Sequence, residues 1–313
     1  MRKEGPNRCL NCLGFRCLRR AGVCAMHGFV IGTCLCLSAV CILVPMCIAA
    51  ISYRSWVAQV FVHTLMGYIS VVYLSSYCLA IFTPPGFTIP DEAFTSCGKC
   101  HNARPMRTHH CSICGRCVLK YDHHCPWIGN CVGLRNHGYF LRFLFFGVLG
   151  SLTSCLINVI SFITDSFLPE IDKRIRIGIF VLGTGIDCLN ILACMVIIVS
   201  QLPAILHNEI GAEECDYHWV KERCKRLGIP FPYPYSSGLR TNLSELFGER
   251  MVAALLLPAR IRPTRSGYDY EMSPKYVRLI EAYNAVASGT ADESVIFSAL
   301  KNRAIDLSGE EMN

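Results

Sequence analysis

Four stretches of this chain are too long and too apolar for the interior of an ordinary soluble domain, and they limit what it can fold into. The first, Gly28 to Ile51, has no charged residue and contains Pro45, a position where a helix can kink. The second runs from Trp56 to Phe82, the third from Phe143 to Thr164 and the fourth from Ile177 to Leu202. Each exceeds the roughly 20 residues that cross a bilayer as a helix, whereas a buried helix of a soluble protein averages ~11–12. The first is also longer than the core of a secretory signal peptide and shows no cleavage-site pattern. The expected architecture is an α-helical integral membrane protein with four transmembrane helices, consistent with a chain that is 52% hydrophobic.

Basic residues set the expected orientation. Arg2, Lys3, Arg8, Arg16, Arg19 and Arg20 precede the first span against the single acid Glu4. Lys99, Arg104, Arg107, Arg116, Lys120 and Arg135 lie between the second and third spans. The link after the first span has only Arg54, and the link after the third balances acids and bases. By the positive-inside rule both tails and the central loop face the cytosol. The net charge of +7 then suits an anionic inner leaflet and gives no reason to invoke nucleic acid. The expected segments are a cytosolic N-terminal tail (1–27), helices 1 and 2 (28–82), a cytosolic cysteine-rich loop (83–142), helices 3 and 4 (143–202) and a cytosolic C-terminal tail (203–313).

The chain has 21 cysteines, and those of the central loop fall in a reducing compartment, where metal binding or catalysis is favoured over disulfides. From Cys97 to Cys131 the loop repeats itself with a shift of 14 residues. Cys97, Cys100, His110 and Cys117 become Cys111, Cys114, His124 and Cys131, so that both sets obey C-x2-C-x9-H-x6-C. Three thiolates and one imidazole form a tetrahedral set for structural zinc. Two interleaved zinc sites would supply folding energy to a segment with no long apolar run. Spacing alone leaves His109 or His110, and His123 or His124, as the metal-binding member of each pair.

Two such sites use six of the seven loop cysteines. Cys125 occupies the position of Cys111 in the repeat, but its partner position holds Ile128, so Cys125 is the surplus thiol. Beside Asp122, His123 and His124 it is a candidate nucleophile, because an adjacent imidazole can take the thiol proton and a carboxylate can orient that imidazole. The plainer alternative is a buried spare thiol.

The segment DHHCPWIGNCVG (Asp122–Gly133), together with the upstream cysteine pattern, resembles the DHHC protein S-acyltransferases, or palmitoyltransferases. The resemblance covers about residues 28–202 and part of the tail. It implies that His110 and His124 are the zinc-binding imidazoles, that Cys125 carries the acyl group as a thioester, that His123 is the base and that Asp122 orients it. It also implies Trp127 near the membrane surface, and Asn136 and Phe140 as the family's N-x3-F. Palmitoyl-CoA or another long-chain acyl-CoA is the expected donor. Membrane-associated or cytosolic proteins with accessible cysteines are the expected acceptors. Golgi or endoplasmic reticulum is the expected membrane, with the plasma membrane as the alternative. Two family motifs are altered. Pro84 stands where Asp-Pro-Gly has its aspartate, and "HNEIGAEECDYHW" after the fourth span has no good match to Thr-Thr-x-Glu. Asn242, Phe247 and Gly248 match the N-x4-F-G of the C-terminal aromatic-rich motif. A catalytically silent zinc-bearing membrane adaptor is the competing function.

Other residues invite smaller readings. Asp187, Asn190, Asn158 and His63 lie within the spans and are read as interhelical hydrogen-bonding groups, ahead of a functional site. Cys9, Cys12, Cys17 and Cys24 suit either half a metal site or juxtamembrane S-acylation. In the tail, "GIPFPYPYSSG" is an aromatic, proline-rich loop and "ELFGERMVAALLLPARIR" a short amphipathic or membrane-hugging segment. "SPKYVRLIEAYNAVA" is a docking helix, with Tyr276, Leu279, Ile280, Tyr283 and Val286 at helical spacing.

Overall fold

The computed structural model describes residues 10–53, 55–164, 168, 170–290 and 295–296. Its order is α1 (Leu10–Ser52), α2 (Trp56–Phe82), β1 (His109–Cys111), β2 (Arg116–Val118), β3 (His123–Cys125), β4 (Asn130–Val132), α3 (His137–Ile163), α4 (Lys173–Ser200), α5 (Leu202–His207), α6 (Gly211–Arg226), α7 (Leu239–Phe247), α8 (Met251–Leu256) and α9 (Pro274–Ala287). Among the described residues four segments are long and apolar enough to cross a membrane: Ala25–Ile51, Trp56–Phe82, His137–Ile163 and Lys173–His207. The protein is therefore a helical multi-pass membrane protein, with the cysteine-rich region between the second and third spans. Leu182, Leu189 and Val196 of α4 point outward. That arrangement costs free energy in water and is favoured against lipid tails.

Helix boundaries differ from the apolar runs in instructive ways. α1 starts well before Gly28 and continues through Pro45. Cys9 lies outside the described residues, as do the side chains of Cys12, Cys17 and Cys24. α3 begins at His137 rather than Phe143 and so takes in Arg142, which is fully buried. Its Nε donates to Ser76 Oγ at 2.7 Å, and its guanidinium lies 5.4 Å from the Tyr139 ring centre. A charged residue that reads as a loop end is thus accommodated inside the helix pair.

The chain forms two compact units. One contains Met1–Pro85, His124–Val132 and Asn136–Ile198. Here α2 and α3 pack through Ile69, Val72 and Phe146, with Tyr77 stacked on Phe143 at 4.8 Å. Ser154 Oγ of α3 donates to Asp187 Oδ2 of α4 at 2.7 Å, and Asn190 Nδ2 donates to Ser151 Oγ at 2.7 Å. Asp187, Asn190 and Asn158 therefore join helices, as expected. Among the described residues His63 bonds within its own helix: its Nδ1 lies 2.6 Å from Gln59 O, one turn back.

The other unit contains Gly86–His123, Gly133–Arg135 and Val199–Asn313. β1 and β2 pair antiparallel, with His110 opposite Cys117 and Cys111 opposite Arg116. α9, read from sequence as a docking helix of unknown partner, packs on α6 through Val220, Cys224, Leu279 and Ala282. Ser273 caps α9 by accepting from Tyr276 N. The aromatic loop packs inward too: Tyr233 stacks on His207 at 3.9 Å, and Tyr235 lies 4.2 Å under the Arg107 guanidinium. α8 leaves Val252 and Leu256 exposed, and Leu257 just after it is exposed too. Gly248, at φ 79°, is fixed by both conformation and space, since a Cβ would lie 2.7 Å from Arg262 O.

Candidate active site

The 14-residue repeat becomes two hairpins in space, β1–β2 and β3–β4. Strand geometry explains how adjacent residues serve different ends, because alternate side chains leave a strand on opposite faces. In β3, His123 and Cys125 therefore share one face while His124 takes the other. In β1, His110 and Cys111 part in the same way.

The donor atoms of Cys97, Cys100, His110 and Cys117 all lie within 4.8 Å of one another, and so do those of Cys111, Cys114, His124 and Cys131. A tetrahedron with metal–ligand bonds of ~2.0–2.3 Å has edges of roughly 3.3–3.8 Å. The observed separations match such edges: Cys100 Sγ to Cys117 Sγ is 3.6 Å, Cys97 Sγ to His110 Nδ1 is 3.7 Å and Cys131 Sγ to His124 Nδ1 is 3.5 Å. The Lys99 N–H pointing at Cys97 Sγ lowers that thiol to about 7. Burial, followed by its neighbouring thiols, pushes Cys117 up. A cation between them is what lets all three ionise together. Both sets can hold a metal ion, and their chemistry suits zinc.

Asp122 is buried and richly bonded. Its Oδ1 accepts from Gly211 N at 2.7 Å, and its Oδ2 accepts from Gln201 Nε2 at 3.0 Å. The same Oδ2 lies 2.7 Å from His123 Nδ1. Because an ionised carboxylate only accepts, Nδ1 carries the proton and His123 Nε2 is left with its lone pair. His123 is partly exposed, whereas Cys125 is 1% exposed.

A scan of family models matches residues 91–218 to the DHHC palmitoyltransferase model. The chain is 31% identical to probable protein S-acyltransferase 12 of Arabidopsis thaliana over 216 residues, which cover 60% of this chain and 70% of that protein. The chain belongs to the DHHC palmitoyltransferase family. Probable protein S-acyltransferase 15 of Arabidopsis thaliana is 32% identical over 182 residues, covering 56% of this chain and 69% of the relative. The match to human palmitoyltransferase ZDHHC16 is shorter but higher in identity, 60% over 78 residues, covering 24% of this chain and 21% of that one. The protein is thus an enzyme, a protein S-acyltransferase.

The palmitoyltransferase holds a cavity of about 320 Å³ among α1–α4, with Trp127 in its wall. Phe140, Phe143 and Phe146 of α3, Met66 and Tyr73 of α2 and Ile197 of α4 contribute an apolar lining. Tyr77 Oη donates to Trp127 O at 2.8 Å and fixes the chain two residues past Cys125. The turn is held further by Asn130, whose Nδ2 donates to Thr83 O at 3.0 Å and Ile81 O at 3.1 Å. It thereby satisfies carbonyls left over at the end of α2. Asn136 Nδ2 donates to Cys131 O at 2.8 Å and Ala80 O at 3.2 Å.

The altered motif after the fourth span is replaced by other chemistry. Asp122 is met by the backbone N–H of Gly211 and the amide of Gln201. Glu213 takes both Nε and Nη2 of buried Arg107, at 2.7 and 3.0 Å. Lys120 and Arg265 both donate to Glu245, at 3.0 and 2.7 Å. Burial and nearby Arg107 lower Lys120 to about 8, while burial opposes the charge of Glu245 but its donors, Lys120 first, hold it below the usual carboxylate range. Sequence reasoning missed Gln201, Gly211, Asn130 and Arg107. For Gln201 and Gly211 the signal was negative, a weak motif where a strong one was expected, whereas Asn130 lies inside the Asp122–Gly133 segment and was not singled out there.

Proposed function

We propose that Cys125 is the acyl-carrying nucleophile of this palmitoyltransferase, with His123 as base and Asp122 as its orienter. The observation that carries this reading is the hydrogen bond from His123 Nδ1 to Asp122, which leaves Nε2 basic on the strand face that also bears Cys125. The donor is a long-chain acyl-CoA such as palmitoyl-CoA. His123 takes the Cys125 proton, and the thiolate attacks the thioester carbonyl. The bond from that carbon to the CoA sulfur breaks, and CoA leaves with the proton from His123. A cysteine thiol of a protein substrate then gives its proton to His123 and attacks the acyl-enzyme. The new thioester forms as the bond to Cys125 Sγ breaks and the proton returns to Cys125.

The acyl chain fits the apolar cavity beside Trp127, where each buried methylene contributes about 0.8 kcal/mol. Two structural zinc ions, when bound, hold the loop. Cys97, Cys100, His110 and Cys117 are the proposed ligands of one, and Cys111, Cys114, His124 and Cys131 of the other. With both tails and the zinc-bearing loop on the cytosolic side, acceptors are cytosolic or membrane-bound proteins of an endomembrane, Golgi or endoplasmic reticulum. The test is incubation of purified protein with radiolabelled palmitoyl-CoA, beside Cys125→Ser. Wild type should take up hydroxylamine-sensitive label and the variant none. Absence of label on wild type ends the reading of Cys125. Zinc well below two per chain separately ends the ligand assignment.

A further inference from the structure

We infer that His27 of α1 is a positioning residue that fixes the metal-binding imidazole of His124, and through it the adjoining Cys125. The inference rests on the proposed ligand role of His124. His27 Nε2 lies 3.4 Å from His124 Nε2, and the two rings stack with centroids 5.1 Å apart and planes at 28°. The other nitrogen of His124, Nδ1, faces Cys131 Sγ at 3.5 Å, on the metal side. A neutral imidazole that gives its Nδ1 lone pair to a metal carries its proton on Nε2. That N–H then donates to His27 Nε2, which accepts. Partners of this kind set the ring orientation of a metal-bound histidine, and their removal costs about 10–100-fold in metal affinity or activity.

The contact is built in. Gly129, at φ 59°, lets the turn of the second hairpin come close to α1: a Cβ there would lie 3.2 Å from His27 Cβ and 3.2 Å from Ile31 Cδ1. His27, Ile31, Cys34, Ser38 and Cys41 recur at helical spacing on one face of α1. Cys34, Ser38 and Cys41 line the cavity of about 320 Å³. One helix face therefore holds the hairpin at its upper end and shapes the cavity below. His27 ties the two so that the residue after His124 stays registered with the cavity.

The test measures zinc release from the full-length purified protein to a chromogenic chelator, for wild type, His27→Phe, His27→Gln and Ile31→Ala. Phenylalanine keeps the ring contact and loses the acceptor. Glutamine keeps an acceptor, and Ile31→Ala loosens the packing alone. In His27→Phe one of the two ions should leave about 10–100-fold faster while the other keeps its wild-type rate. Single-turnover acylation should slow with the KM for palmitoyl-CoA unchanged. His27→Gln and Ile31→Ala should stay within a few-fold of wild type. If His27→Phe releases both ions at the wild-type rate, or Ile31→Ala matches His27→Phe, the inference is overturned. If wild type itself carries fewer than two zincs, it is the ligand reading that has failed.

Discussion

The two hairpins of the cysteine-rich loop are copies in sequence and differ in what surrounds them. In the first, Cys111 has Cys114 three residues on, and the ligand pair is complete. In the second, Cys125 has Ile128 there, fully buried, and no second thiol competes for an ion. In the first, His109 is preceded by Thr108, whose hydroxyl is buried without a hydrogen-bond partner among the described residues. In the second, His123 is preceded by Asp122, whose carboxylate accepts from Gly211 and Gln201 as well as His123. The same hairpin thus carries two side-chain sets, the second with one thiol fewer and one carboxylate more, which is the difference on which the proposed reactive site rests. The lesson is that the strand supplies alternation, and the residues that meet each face decide its chemistry.

The largest test of that difference exchanges serine for the equivalent cysteines. Cys125→Ser should abolish hydroxylamine-sensitive acylation while keeping two zincs per chain by elemental analysis. Cys111→Ser should drop the zinc count to one and lower thermal stability, because a metal-bound fold loses part of its folding energy with a ligand. If Cys125→Ser also sheds zinc, the two positions are more alike than proposed.

A smaller loss is expected from Asp122→Asn. The amide presents one acceptor and one donor group where three donors now converge, so a donor faces a donor and His123 loses its set tautomer. Single-turnover acylation should fall by about 10²–10⁴-fold, with zinc content unchanged. A rate within a few-fold of wild type would remove Asp122 from the chemistry.

Gly211 offers a finer cut. It is the first residue of α6, where proline is tolerated, and Ile210 before it is already extended at φ −93° and ψ 152°. Gly211→Pro deletes the N–H bonded to Asp122 and sets ring carbon near that oxygen. Gly211→Ala keeps the bond, and its Cβ would meet Asp122 at an ordinary 3.5 Å. Proline should slow acylation about 10-fold, as one hydrogen bond to a charged group is worth ~1.5–3 kcal/mol, and alanine should leave it near wild type. Equal rates for the two variants would show that the Gly211 bond is idle.

These variants also mark where the sequence stopped being informative. The four spans, the C-x2-C-x9-H-x6-C repeat and the surplus Cys125 were legible because hydropathy and spacing record them directly, whereas the choice of His110 and His124 within each histidine pair came from the family resemblance. Gly211 was not, since it acts through a backbone N–H that any residue but proline supplies. Gln201, Asn130 and His27 were not, because each is a single polar residue whose partner lies far along the chain. Arg142 misled, since charge marks a loop only until a buried partner such as Ser76 is found. The tail helix α9 was legible as a packed surface, but its partner α6 was hidden in a segment read only for its missing motif.

The smallest expected effect falls on the first hairpin, at the counterpart of Asp122. Thr108 is 2% exposed, and its Oγ1 is buried with no partner among the described residues. A hydroxyl taken from water without a new bond costs free energy in the folded state. Valine has nearly the same shape, so Thr108→Val removes that cost without opening a cavity. Stability should hold or rise by up to ~1 kcal/mol, which for a chain of this size is about 2–4 °C in Tm. Acylation should stay within about twofold of wild type, because Thr108 sits beside the strand proposed to hold metal and Asp122 beside the one proposed to react. A substantial loss of acylation in Thr108→Val, with both zincs retained, would mean that the first hairpin shares in the chemistry and would break the division of labour between the two copies.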